Sequence, residues 1–156
     1  MTLPTPEEKN LVQTSWKCLV DRDALGSTGV CMFSRLFTQH PEFLGLFPFG
    51  DLGLPMEELK IHSKFVYHAN SVIKMVGVAV NGLDDVAPMA KKLESLGKRH
   101  KKYKAKPEYF EAVGEALIFA LCEAVGETFD EKHKAAWGVV FAVVVATMKK
   151  GLQSAN

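Results

Sequence analysis

The run Ala135-Ala136-Trp137-Gly138-Val139-Val140-Phe141-Ala142-Val143-Val144-Val145-Ala146-Thr147-Met148 decides the fold class. Its centre, Val139 to Val145, is rich in β-branched side chains and on propensity alone reads as a strand. Three features outweigh that reading. The run holds 14 residues between Lys134 and Lys149, well beyond the usual strand of about five or six. Trp137, Phe141, Val144 and Met148 recur at the three-and-four spacing of one helical face. Thr128-Phe129-Asp130-Glu131 stands just upstream with the spacing of a capping box. The stretch is therefore expected to be a helix running to about Leu152. Its uncharged span is too short to cross a bilayer and suits a buried core helix.

Upstream of this run the same period repeats. Thr5-Pro6-Glu7-Glu8 is a capping box with proline at the first helical position, and Val12, Trp16, Leu19 and Val20 follow. Trp16 reads as a core anchor. Val30, Phe33, Leu36 and Phe37 continue a stripe through Gly26 and Gly29, and Gly29 implies that another backbone passes close by. Pro41 opens a turn into an aromatic corner of Phe43, Leu44, Leu46, Phe47 and Phe49. Gly50, Gly53 and Pro55 mark a short loop. Helical patterns are expected from Met56 to about Val80, from Asp84 to Lys101, and from Pro107 past Val125. Lys101, Lys102, Tyr103 and Lys104 form a basic turn between the last two. No strand pair or repeat is visible. The expected class is all-α, six to eight helices in one domain over residues 1–156, packed at steeper angles than a regular four-helix bundle.

Composition narrows the function. Of 156 residues, 47% are hydrophobic and 24% charged, which argues for a globular core and against disorder. The net charge is +1, far from the basic excess of a nucleic-acid binder. Cys18, Cys31 and Cys122 are odd in number and form no CxxC pair, which disfavours a disulfide scaffold or zinc ribbon. They are expected to be small buried residues. No signal-peptide stretch or membrane span is visible, and a reducing cytoplasm is the default compartment.

Two of the five histidines stand where apolar side chains are expected. His68 lies on the inward stripe of Phe65, Ala69, Val72, Val76 and Ala79. His100 ends the stripe of Met89, Leu93 and Leu96. A lone inward histidine is most often a hydrogen-bonded core residue. Two on two helices, in the company of Phe33, Phe47, Val72, Phe110 and Val113, suit a flat apolar ligand with a metal at its centre. Zinc needs three or four nitrogen or sulfur ligands, whereas haem brings four nitrogens and needs one or two axial ones. HExxH, EF-hand, GxSxG, P-loop and GxGxxG patterns are all missing. The lysines and arginine at 91, 92, 98, 99, 101, 102 and 104 read as a solvated face. Alternatively, they attract haem propionates or an acidic redox partner.

These intervals resemble the globin family from near Trp16 to near Met148. His40-Pro41-Glu42 precedes Phe47, which stands six residues after the proline; His68 lies 21 beyond Phe47, and His100 32 beyond His68. Leu93-Glu94-Ser95-Leu96-Gly97-Lys98-Arg99-His100, Val113-Gly114-Glu115 and Ala135-Ala136-Trp137 are similar to neuroglobin-like members. The cysteine pair those members carry after the corner is missing, since Phe49 to Phe65 holds no cysteine. Phe49 and Ser71 stand where many globins place polar or basic groups near a propionate.

The resemblance implies a globin fold around haem b. His100 is implied as the proximal iron ligand, with its Nδ1–H on a carbonyl near Leu96. A neutral partner there leaves the imidazole a moderate donor, unlike the carboxylate-backed histidine of a peroxidase. His68 is implied as the distal residue and as a second iron ligand when gas is absent. Phe47 presses on the porphyrin, Val72 and Phe33 form distal walls, and Leu96, Phe110, Val113 and Phe141 line the rest. The implied function is reversible binding of O₂, CO and NO by a monomer or homodimer. A donor on His68 is worth about 1–3 kcal/mol to a partially negative ligand. A haem redox enzyme (NO dioxygenase or nitrite reductase), an electron-transfer or sensor globin, and a haem-free helical module are the alternatives.

Overall fold

The computed structural model describes residues 2–101 and 105–154. Thr5 caps α1 (Pro6–Asp21): its hydroxyl accepts from the Glu8 N–H, and the Glu8 carboxylate accepts from the Thr5 N–H. This reciprocal pair satisfies two of the orphan donors that every helix start leaves. The chain continues through α2 (Leu25–Gln39), two short 3₁₀ turns (Pro41–Leu46 and Gly50–Leu52), α3 (Met56–Leu59) and α4 (Ser63–Asn81). A third 3₁₀ turn, Gly82–Asp84, leads to α5 (Val86–His100), then α6 (Tyr109–Val125) and α7 (Glu131–Ser154). No strand occurs among the described residues. The valine-rich run from Ala135 to Met148 lies within α7.

Four pairings dominate the packing: α5 on α7, α2 on α4, α2 on α6, and α1 on α7. The main core gathers around Trp16 and Trp137, whose ring centroids are 6.0 Å apart. Trp137 Nε1–H donates to Ser15 Oγ at 2.9 Å in the interior, so the indole leaves no polar atom unpaired. Gly29 does what its position implies. A Cβ there would stand 2.9 Å from the Ala69 carbonyl oxygen, so glycine lets α2 and α4 cross at backbone contact. Gly97 of α5 and Gly151 of α7 make a similar pair, their missing side chains replaced by the carbonyls of Met148 and Glu94. A second, smaller cluster of Ala79, Met89, Leu93, Phe110, Met148 and Leu152 sits between α5 and α7, separate from the main core.

Several boundaries differ from the sequence reading. The helix expected from Met56 to Val80 is broken at Lys60-Ile61-His62. Leu59 and Phe65 are both buried, at 2% and 1% exposure; six residues apart, they fall on different faces of an unbroken helix. The break lets both turn inward. His62 then caps α4, its Nδ1 accepting from the Lys64 N–H at 3.2 Å. The cap of α7 is Asp130 rather than Thr128, with the His133 N–H donating to Asp130 Oδ1 at 3.1 Å. Burial of Phe129 fixes that frame: the ring must tuck under before the helix begins. The α6 helix starts at Tyr109, two residues past Pro107, and the α5 helix at Val86. Lys102, Tyr103 and Lys104 of the expected basic turn lie outside the described residues.

Candidate functional site

The site is built where α2, α4, α5 and the corner after α2 converge. Packing of α2 against α4 brings Phe33 beside His68, with ring centroids 5.2 Å apart. Phe47 approaches the same imidazole at 5.1 Å and Phe49 at 5.8 Å. All three meet it edge to face, at interplanar angles of 62°, 78° and 61°. No hydrogen bond to a His68 ring nitrogen is present among the described residues. Burial pushes the His68 imidazole below its usual pKa, and the charge of His100 pushes it further in the same direction. Both effects keep the ring neutral, which leaves one nitrogen with a lone pair.

His100 is the last residue of α5. Its Nδ1 lies 2.8 Å from the Leu96 carbonyl oxygen, one turn back. A carbonyl only accepts, so Nδ1 carries a proton, and Nε2 is the ring nitrogen that can offer a lone pair. The Phe110 ring stands 5.8 Å away, edge on. Leu96 packs beside Phe110 on the smaller cluster, and Val72, Val113 and Phe141 are half-buried against the main core. The structure thus gathers His68 with Phe33 and Phe47, and His100 with Leu96 and Phe110. Val72, Val113 and Phe141 take their place with the main core.

Phe49 departs most from its expected place. It is not at a polar rim. It is 1% exposed and touches Phe37, Phe47, Phe65 and His68. The dense aromatic run at the corner was the signal that could have found it. Ser71 Oγ donates to the Tyr67 carbonyl at 3.0 Å, an ordinary helical back-bond.

The donor set fits haem. Two imidazoles, the His68 ring held neutral by burial and the His100 ring oriented by the Leu96 carbonyl, stand among apolar rings. Among the described residues no group of three or more His, Cys, Asp or Glu side chains could hold a bare metal ion. A ligand that brings four nitrogens of its own needs only what these two rings supply.

Away from the imidazoles, Met75, Lys91, Lys92, Ser95 and Arg99 line an open groove of about 350 Å³ between α4 and α5. Lys91, Lys92 and Arg99 form no salt bridge among the described residues. The three cysteines are free thiols and half-buried rather than buried, because each lies at the margin of its helix's inward face. Burial and the Glu123 carboxylate push the Cys31 thiol up, so it is held protonated.

The globin family model matches residues 30–148, and the chain belongs to the globin family. Haem binding and a capacity for diatomic gases such as O₂ come with that membership. Among its relatives, the chain is 32% identical to the neuroglobin of Tetraodon nigroviridis over 149 residues, covering 93% of this chain and 90% of that protein. It is 31% identical to neuroglobin-2 of Oncorhynchus mykiss, covering 94% and 91%. In fold it is similar to a hexacoordinated haem protein from an anhydrobiotic tardigrade, with a TM-score of 0.88, 24% identity and 96% coverage of both chains. It is also similar to the hexa-coordinate haemoglobin of Drosophila melanogaster, with a TM-score of 0.80, 22% identity and 94% coverage of both.

Proposed function

We propose that this globin reversibly binds O₂, CO and NO at ferrous haem b, with His100 as the proximal ligand and His68 as the sixth ligand when gas is absent. The observation that carries this reading is the buried His68 imidazole ringed by Phe33 and Phe47, with the His100 ring oriented by the Leu96 carbonyl and backed by Phe110. When bound, haem supplies an iron whose ferrous state takes a diatomic ligand reversibly.

The chain's own residues do the rest. The Leu96 carbonyl orients the His100 ring through Nδ1 and leaves Nε2 as the nitrogen that would hold iron, a moderate donor. The low proton affinity of His68 keeps a lone pair available for iron. With a gas in that place, the His68 ring, with a proton on the nitrogen facing the ligand, would donate to its partial negative charge, worth about 1–3 kcal/mol. Phe33, Phe47 and Val72 exclude water and protons, which slows oxidation of the iron. Leu96, Phe110, Val113 and Phe141 supply the remaining apolar contacts. The free thiols suit a reducing cytoplasm.

Absorption spectra of the ferric, ferrous and CO-bound protein test this reading. The ferrous protein is expected to be six-coordinate and low-spin, and CO should convert it. His68→Leu should leave five-coordinate ferrous haem that binds CO faster, and His100→Ala should lose haem. A five-coordinate high-spin spectrum of the unligated ferrous protein would overturn the coordination, and a chain purified without haem from haem-replete cells would overturn the whole.

The groove of Lys91, Lys92 and Arg99 favours a second reading, in which an acidic redox partner docks beside α5 and the protein turns over as an NO dioxygenase or nitrite reductase. Turnover with a physiological reductant that slows steeply with added salt would support it.

A further inference from the structure

Phe49 lies in the least buried part of the chain. Neither 3₁₀ turn beside it contains a buried residue. Between His40 and Glu58 it is the only buried side chain among the described residues. Its ring stacks on Phe47 at 5.4 Å and 21°, meets Phe65 of α4 at 5.0 Å, and meets Phe37 of α2 at 5.7 Å. It therefore ties the corner to both α2 and α4. Its fourth neighbour is His68, at 5.8 Å and 61°.

The neutral His68 ring has no hydrogen bond among the described residues to set its direction. What orients it is the edge-to-face contacts of Phe33, Phe47 and Phe49, which follow from the charge distribution of aromatic rings. Phe33 comes from a helix, and Phe47 is half-buried. Phe49 is the fully buried member of the corner pair, and it backs Phe47 where Phe47 meets the imidazole.

We propose that Phe49 is a positioning residue for His68: anchored between α2 and α4, it holds the imidazole in its orientation and so sets how readily that ring yields to an incoming gas. This rests on the haem reading above. Loss of the Phe49 ring frees the imidazole to turn into the space left behind, and the unligated six-coordinate state weakens. Phe37 supplies the control. It is similarly buried, at 2% exposure, contacts Phe49 itself and shares its neighbours Phe47 and Phe65, but has no ring contact with His68.

The test compares the haem-loaded wild type with Phe49→Leu, the milder Phe49→Met, and Phe37→Leu. Two quantities are read: the limiting rate of CO binding to the ferrous protein at high CO, which reports release of His68, and the infrared C–O stretching band of the CO complex, which senses the imidazole's position. Phe49→Leu and Phe49→Met should raise the limiting rate at least fivefold and shift or split the C–O band. Phe37→Leu should lose comparable thermal stability while both readouts stay within twofold and one band of wild type. Unchanged readouts in both Phe49 variants, or equal changes in Phe37→Leu, would overturn the proposal. A five-coordinate wild type would remove the coordination reading alone, and the C–O band would still decide the role of Phe49.

Discussion

The α5–α7 contact turns on Gly97. A Cβ there would overlap the Met148 carbonyl, its carbon and its Cα, all of them backbone atoms that cannot rotate aside. Gly97→Ala must therefore push the two helices apart by about 1 Å, enough to forfeit a quarter to half of the dispersion attraction across the contact. The smaller core cluster, with Leu93, Met148 and Leu152, lies along that seam. Overpacking of this kind costs roughly 1–3 kcal/mol. Alanine returns about 0.5–1 kcal/mol through its better helix propensity. The net expectation is a loss of about 1–2 kcal/mol, or roughly 2–8 °C in Tm for a chain of this size. The same displacement moves His100, one turn further along, so haem should also dissociate faster. Gly138 of α7 is the matched control: a Cβ there meets nothing within 4 Å. Gly138→Ala should stabilise by about 0.5–1 kcal/mol. Urea unfolding of both variants, with haem transfer to an acceptor protein, measures the two effects. If Gly97→Ala were as stable as Gly138→Ala, the backbone contact would not be what that glycine serves.

Other perturbations follow from single contacts. Ser15→Ala strands the Trp137 N–H in the interior and should cost about 1–3 kcal/mol, measured by urea denaturation. Arg22 donates through one guanidinium nitrogen to the Ala124 and Val125 carbonyls at 3.1 and 3.3 Å, closing the C-terminus of α6. Arg22→Ala should therefore lower stability by about 1 kcal/mol. The folded chain holds His68 neutral at a pH where the unfolded chain protonates it. Stability should fall as pH drops below the ordinary histidine value of 6.5, and level off once the folded ring also protonates. Denaturation midpoints at pH 7.5 and 5.5 should therefore converge for His68→Leu relative to wild type.

The helices and both site histidines are legible because each lies on a periodic stripe, and a polar ring among Leu93, Leu96 or Phe65, Ala69 stands out against it. The α7 helix is legible despite its valines because length and period outweigh propensity. Features set by tertiary burial are harder to read. Thr128 and Asp130 both offer a plausible-looking cap, and only the burial of Phe129 selects between them. The break before α4 depends on Leu59 and Phe65 needing the same interior from different faces. The dense aromatic run at the corner signals that rings pack there, but Gly and Pro leave no period to say that Phe49 is the one that turns inward. The partial exposure of Cys18, Cys31 and Cys122 likewise depends on how far neighbouring helices overlap.

Two separate apolar clusters rather than one support the molecule, and the imidazole at 100 rides on the smaller. Opening α5 need not breach the tryptophan-centred interior, so amide protons of α5 should exchange through a shallower local excursion than those of α1 or α2. Occupancy of the site by any group bridging α4 and α5 would fasten the weaker unit to the stronger, and the gap between their exchange rates would narrow in proportion to how tightly that group is held.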